Sequence, residues 1–294
     1  MPFDIIIVGH VAIDHNRFPW GTIENVLGGA PTYAGLAAVN LRRSVGIASK
    51  VGRDFVELFP PIYSKLGLDT EGMLVVGEHT TTFENIYDEQ GRRRQVCRHI
   101  APPILPEDIP ADYLDASGFY VSPIAGEVSP ELLAHLKRQK RIVMFDPQGV
   151  LREIGRGGEV EVRPKDLTPY LKHCDIVKVG LEEVEVLGAD VPKAMENFRR
   201  AGPEIVVVTR GKDPVSVLCD DRVMEFKTLE VPVSDVTGAG DVFGAAFLSR
   251  YISSRDALDA ARFAIAAAGL KIRYRGPVGF PSETEVLEAM ARVQ

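Results

Sequence analysis

Six short runs of Ile, Val and small residues punctuate the chain, at 3–9, 45–51, 118–122, 141–146, 175–179 and 204–209. Such runs are apolar at successive positions instead of alternating, the mark of strands buried on both faces of a parallel sheet. Amphipathic patterns between them predict helices at 34–42, 55–66, 130–140, 182–187 and 192–200. Pro130 and Pro192 fall at helix starts, where a missing N–H costs nothing. Two segments break the rhythm. Residues 15–27 and 75–99 read as antiparallel strands, the second pair turning at 88–91, and predict one small sheet that leaves the main domain and returns to it. Beyond residue 209 the pattern predicts a β-meander at 215–219, 222–227 and 229–233, then three helices. The last of these opens with a capping box, Ser282 and Glu285.

The chain has 294 residues, 45% hydrophobic and 26% charged, so it can bury a sizeable core. The elements predict a single α/β domain spanning 1–294, with inserted lid segments at about 15–27 and 75–99. A formal charge of −7 offers no basic footprint for nucleic acid. Cys97, Cys174 and Cys219 fall in no paired spacing, and Cys97 and Cys174 read as small core fillers; a reducing cytoplasm fits them. The first apolar run lacks the basic flank of a signal peptide. The longest Ala-rich stretch, 257–272, carries Asp259, Arg262 and Lys271, costly at a bilayer centre, so no membrane span is expected. No His pair has metal-ligand spacing. His10 is the histidine nearest a predicted ligand edge, and a satisfied strand-end histidine is its plain reading.

Chemistry concentrates in DVTGAGDVFGAAF, residues 235–247. Gly238, Ala239 and Gly240 are small enough for successive N–H groups to converge on one point at a helix N-terminus, where an anion is held. Asp241 at its edge would repel a parked phosphate, yet it suits a base beside a group in transfer. A Gly-rich turn with an Asp N-cap is the other reading. The P-loop and dinucleotide fingerprints are absent. At the other end of the chain, Asp14 follows the first strand, and Gly28 and Gly29 precede a helix. A carboxylate there can accept hydrogen bonds from a polyol that the glycines let come close, although a plain turn explains the glycines equally.

The pair of motifs GGAPTYAGLAA and DVTGAGDVFGAAFL resembles the ribokinase-like (PfkB) carbohydrate kinases over residues 3–290, with Pro31, Thr32 and Tyr33 where that family usually has a polar residue after the glycines. The resemblance implies a predominantly parallel sheet flanked by helices, with a small β-sheet lid. It implies Asp241 as the catalytic base, the N–H groups of 238–240 as an anion hole, and Asp14, Gly28, Gly29, Gln148 and Arg152 on the substrate. Thr209 and Gly211 would contact the nucleotide. Glu183 would hold magnesium through water, Gly180 replacing the family's Asn. ATP and Mg2+ are the implied cofactors, with a monovalent cation as a third, and the lid edge is a surface through which two copies could pair, Trp20 lying on a predicted lid strand. TTTFEN at 80–85, the Arg92–Arg94 run, SPIAGEV at 122–128 and DPQGVLR at 146–152 look like the inositol kinase branch and its archaeal members, so a kinase for myo-inositol or a sugar is the expected function. A nucleoside kinase using Phe18, Trp20 or Tyr33 as a platform, and a non-catalytic polyol sensor, are the alternatives.

Overall fold

The computed structural model describes residues 2–59, 62–90, 92–137 and 141–294. The first apolar run forms β1 (Ile5–Val8), from which the chain leaves as the hairpin β2 (Ala12–Phe18) and β3 (Gly21–Gly28). It returns through α1 (Ala30–Asn40), β4 (Val45–Val51), α2 (Arg53–Leu58), α3 (Ile62–Lys65), β5 (Leu68–Asp69) and β6 (Met73–Val75). A second excursion, β7 (Thr82–Tyr87) and β8 (Arg93–His99), precedes β9 (Gly118–Val121), α4 (Pro130–Lys137) and β10 (Ile142–Phe145). The hairpin β11 (Arg152–Ile154) and β12 (Val160–Val162) leads to α5 (Thr168–Leu171), β13 (Ile176–Gly180), α6 (Leu181–Val186), α7 (Val191–Ala201) and β14 (Ile205–Arg210). β15 (Asp213–Cys219), β16 (Arg222–Phe226), α8 (Ala239–Ser254), α9 (Ala257–Lys271) and α10 (Glu283–Met290) complete the chain.

Among the described residues one large sheet runs β16-β15-β14-β13-β10-β9-β1-β4-β5, with β6 beside β4. The pairs from β14 through β5 are parallel; β15 and β16 add an antiparallel edge. β1 shows why the apolar runs are unbroken: Ile5 and Ile7 enter a core with α1, α8, α9 and α10, while Ile6 and Val8 enter the opposite core with α4, α5, α6 and α7. The expected architecture is thus present, a mostly parallel sheet with helices on both faces.

The small sheet has the order β3-β2-β7-β8. Its two hairpins are antiparallel, but β2 and β7 pair in parallel, because each hairpin leaves the main sheet in the same direction. Its limits differ from the sequence reading. The lid strands are 12–18, 21–28, 82–87 and 93–99; Met73–Val75 belongs to the main sheet beside β4, and Trp20 lies in the turn between β2 and β3. Asp14 is therefore a lid residue. The expected strand at 229–233 is absent, the chain there crossing to α8 without ladder bonds. α1 starts at Ala30, four residues before expectation, because Gly29 at φ +85° turns the chain and Pro31 sits in the first turn. The expected helix at 55–66 is two short helices; Pro60 and Pro61 between them, Gly91 in the expected 88–91 turn, and 138–140 at the end of the expected 130–140 helix lie outside the described residues. The capping box of Ser282 and Glu285 is formed.

α8 crosses the sheet over β9 at Gly244, where any side chain would run into the ring of fully buried Tyr120. That close approach has a purpose at the site: the Tyr120 hydroxyl donates to Asp146 Oδ2 at 3.1 Å. Gly244→Ala should therefore lower stability by about 1 kcal/mol or more, since overpacking against a fixed ring outweighs the gain in helix propensity. A urea midpoint equal to that of the parent protein would contradict this packing.

Candidate active site

The parallel strands end on one edge, and the residues at or just past those ends face one cavity of about 420 Å³. Gln148 and Lys178 come from the main sheet's edge, Arg152 from the root of the β11–β12 hairpin, and Gly238, Gly240 and Asp241 from the start of α8. The lid contributes Asp14, Phe83, Tyr87, Arg93 and Gln95. Motifs separated by more than two hundred residues thus meet across one space.

At the start of α8, Gly238 adopts a left-handed conformation (φ +74°) against the ring of Tyr33, which leaves no room for a side chain. The N–H of Ala239 donates to Val236 O at 3.2 Å, closing the turn, so Ala239 is not among the free donors that the sequence suggested. The N–H groups of Gly238, Gly240 and Asp241 find no acceptor among the described residues. A helix N-terminus with unpartnered amides is an anion site.

Asp241 is held by Gln148, whose Nε2 donates to its Oδ1 at 3.1 Å and to Ser122 Oγ at 3.1 Å. Arg152 donates to Gln148 Oε1 at 3.2 Å and to Ile124 O at 3.0 Å, and thereby fixes which end of the amide faces Asp241. Burial pushes the Asp241 carboxyl up to about 6, and the nearby Lys178 ammonium opposes that shift. Asp14 is pushed up to about 7 by burial, against the pull of Arg93 and Arg152. Its carboxylate occupies the space a side chain at position 28 would need, which accounts for Gly28, while Gly29 passes close against the backbone of His10.

Lys178 is the residue the sequence reading missed. Its ammonium bonds Asp146 Oδ2 at 2.5 Å, and it lies under Gly240, close enough that a Cβ there would sit 3.1 Å from Nζ. Burial works against its charge, but Asp146 and Asp241 outweigh it, and its pKa is raised. A buried Lys inside an otherwise apolar strand was the available signal. Glu183 donates nothing to the cavity. Its Oε2 accepts the Gly180 N–H at 2.6 Å and fills the space a side chain at 180 would take. Burial, then Asp146, raises its pKa. Among the described residues no cluster of three or more His, Cys, Asp or Glu could hold a metal ion.

A second cavity, about 670 Å³, adjoins the first. Thr209, Gly211 and Lys212 line its mouth, and Val215, Leu229, Val231, Phe243, Ile265 and Ile272 its apolar walls. Val236 and Gly240 line both cavities, so the two spaces meet at the first turn of α8.

His10 is fully buried outside both cavities, its Nε2 donating to Pro102 O at 3.1 Å and its Nδ1 accepting from Thr81, as a satisfied strand-end histidine. Cys97 and Cys174 are buried. Trp20 is 72% exposed, stacked on Phe18, which stacks on Tyr87 at the cavity wall. Among the described residues no helix is long and apolar enough to cross a membrane.

Several known proteins are similar to this chain in sequence or fold. Cytidine kinase of Thermococcus kodakarensis is 30% identical over 281 residues, 90% of this chain and 94% of that one. Inositol 3-kinase of Oryza sativa subsp. japonica is 32% identical over 259 residues, 81% of this chain and 60% of that one. A solved pyrophosphate-dependent kinase of the ribokinase family, complexed with a pyrophosphate analog and myo-inositol, superimposes with a TM-score of 0.83 at 25% identity, covering 97% of this chain and 99% of that chain. The sequence profile of the pfkB family carbohydrate kinases matches residues 3–285. The chain belongs to the pfkB family of carbohydrate kinases, within the ribokinase-like fold.

Proposed function

We propose that the protein transfers the γ-phosphoryl group of ATP to a hydroxyl of a small polyol, myo-inositol or a sugar. The observation that carries this reading is the meeting of the two cavities at unpartnered amides with a carboxylate beside them. A nucleotide in the apolar cavity and a polyol in the polar one would touch only at that turn. The apolar walls also favour ATP over pyrophosphate, which would leave Leu229, Val231, Phe243 and Ile265 facing nothing.

Phosphoryl transfer asks a protein for positioning and charge stabilisation more than for covalent chemistry. In this reading Asp14 anchors two polyol hydroxyls from the lid. Asp241 takes the proton of the attacking hydroxyl. The N–H groups of Gly238, Gly240 and Asp241 meet the oxygens of the group in transfer, and Lys178, beneath Gly240, lowers the cost of charge there. Mg2+ on the donor phosphates, when bound, would offset their charge; the assignment of one of its waters to Glu183 rests on the family resemblance alone, since Glu183 lines neither cavity and accepts from Gly180 N–H. Gln148 and Arg152 line the substrate cavity, but their bonds give them first the task of orienting Asp241. A nucleoside is the second reading. It is favoured by the ladder Trp20, Phe18 and Tyr87, whose inner rung opens into the polyol cavity, and by the likeness to a cytidine kinase.

Asp241→Asn should keep the fold and both KM values while turnover falls by roughly 10² to 10⁴, the usual worth of a positioned base; near-normal turnover would remove Asp241 from the mechanism. Because the base must be ionised, kcat should decline as pH falls through about 6. Gln148→Ala removes a hydrogen bond to the ionised form, so this acid limb should move to higher pH; an unmoved limb would deny Gln148 its role. A coupled assay over inositols, sugars and nucleosides should give myo-inositol at least about tenfold higher kcat/KM than any nucleoside, and ATP as a donor where pyrophosphate is not. A nucleoside that outcompetes every polyol would select the second reading.

A further inference from the structure

Lys271 ends α9 and is fully buried, yet among the described residues its ammonium forms no ion pair, its hydrogen bonds going to backbone carbonyls. Its stem lies in the core, and its ammonium curls past the helix end to donate to Gly276 O at 2.8 Å and Tyr274 O at 3.3 Å. Two aromatic faces close the site, Phe280 at 5.2 Å and Tyr33 at 5.8 Å from ring centroid to Nζ. Burial depresses the ammonium's pKa, and the charge of Asp235 opposes this. Backbone carbonyls, an aromatic floor and a neighbouring carboxylate form the surroundings of a hard monovalent cation, here filled by a side chain.

The loop so gathered is bonded to the segment that leads into α8. Ile272 O accepts from the N–H groups of Ser234 and Asp235. Gly276 N–H donates to Asp235 Oδ2 at 2.8 Å, and Asp235 Oδ1 accepts from Thr237 N–H at 2.9 Å. Thr237 precedes Gly238, and the same Tyr33 ring packs on both Gly238 and the ammonium. The carbonyls of Tyr274 and Gly276 converge on the one ammonium from a loop that is itself half-exposed. Helix capping alone would need only the carbonyls of α9 itself, whereas these lie beyond it.

We propose that Lys271 is a built-in monovalent cation, a positioning residue whose ammonium gathers the 272–276 loop and through Asp235 sets the turn that presents the anion-binding amides. The protein then needs no dissolved K+ or NH4+ to order this turn. The inference rests on the kinase reading only for its activity arm.

The test compares the parent protein with Lys271→Ala, which vacates the ammonium's position, and Lys271→Met, which fills it with an apolar stem. Melting temperature and turnover are measured in choline chloride and in KCl or NH4Cl of equal ionic strength. The parent should be indifferent to the cation. Lys271→Ala should lose roughly tenfold or more in kcat and melt lower in choline, and K+ or NH4+ should restore both, while Lys271→Met should not respond. A parent protein that requires K+, a Lys271→Ala variant unaffected in choline, or one whose loss no cation repairs would overturn the proposal. The melting arm needs no substrate, so it stands even if no polyol or nucleoside is phosphorylated. Should Lys271→Ala be unfolded in choline, folding on addition of K+ would support the proposal, and failure to fold in every salt would refute it.

Discussion

Everything this site can do depends on where the first turn of α8 lies. A helix N-terminus carries a partial positive charge only over its last few ångströms, so an amide displaced by the width of an atom no longer meets the anion. The fold constrains that turn from three sides. Gly244 lets α8 settle on Tyr120, Tyr33 packs against the left-handed Gly238, and Asp235 holds Thr237. The glycines of this segment are thus spent on approach and direction, and its small residues are explained before any ligand is considered.

The carboxylates around that turn are arranged so that their charges differ in function. Asp146 is paired with the Lys178 ammonium and accepts from a tyrosine hydroxyl, Glu183 accepts from a backbone N–H, and Asp241 from the amide of a glutamine. Of these three, Asp241 is the one that lines the cavity. A neutral donor orients a carboxylate without holding its proton affinity far down, as an ammonium in direct contact would. These carboxylates are distinguished by what they touch, not by residue type.

Much of this was legible in the sequence, for physical reasons. Buried parallel strands cannot alternate, so the six Ile/Val runs were read in place, and the small residues 238–240 with Asp241 announced an anion site because few other demands require them. What failed depended on tertiary pairing. Residues 229–233 alternate like a strand but find no partner edge beyond β16, and 75 sits in the main sheet because β4 had an edge to offer. The buried contacts of Lys178 and Lys271 could not be read from the sequence, since a lysine in an apolar segment reads as a snorkelling side chain until its partner is known. Gln148 lines the same cavity as Asp14 and Asp241, but its bond to Asp241 spans 93 positions and no local pattern foretells it.

The polar cavity has walls of two origins. One side is cut into the doubly covered sheet, while Asp14, Phe83, Tyr87, Arg93 and Gln95 come from a four-stranded outgrowth whose Phe83 and Cys97 form a small core with Ala12, Ala30 and Ile124, and whose Ile13 and Leu27 are rooted in the main core. Beyond that root, a change in the hairpins leaves the packing of the main sheet in place. The outer wall of the cavity can therefore vary in shape and charge while the sheet that carries the inner wall keeps its geometry.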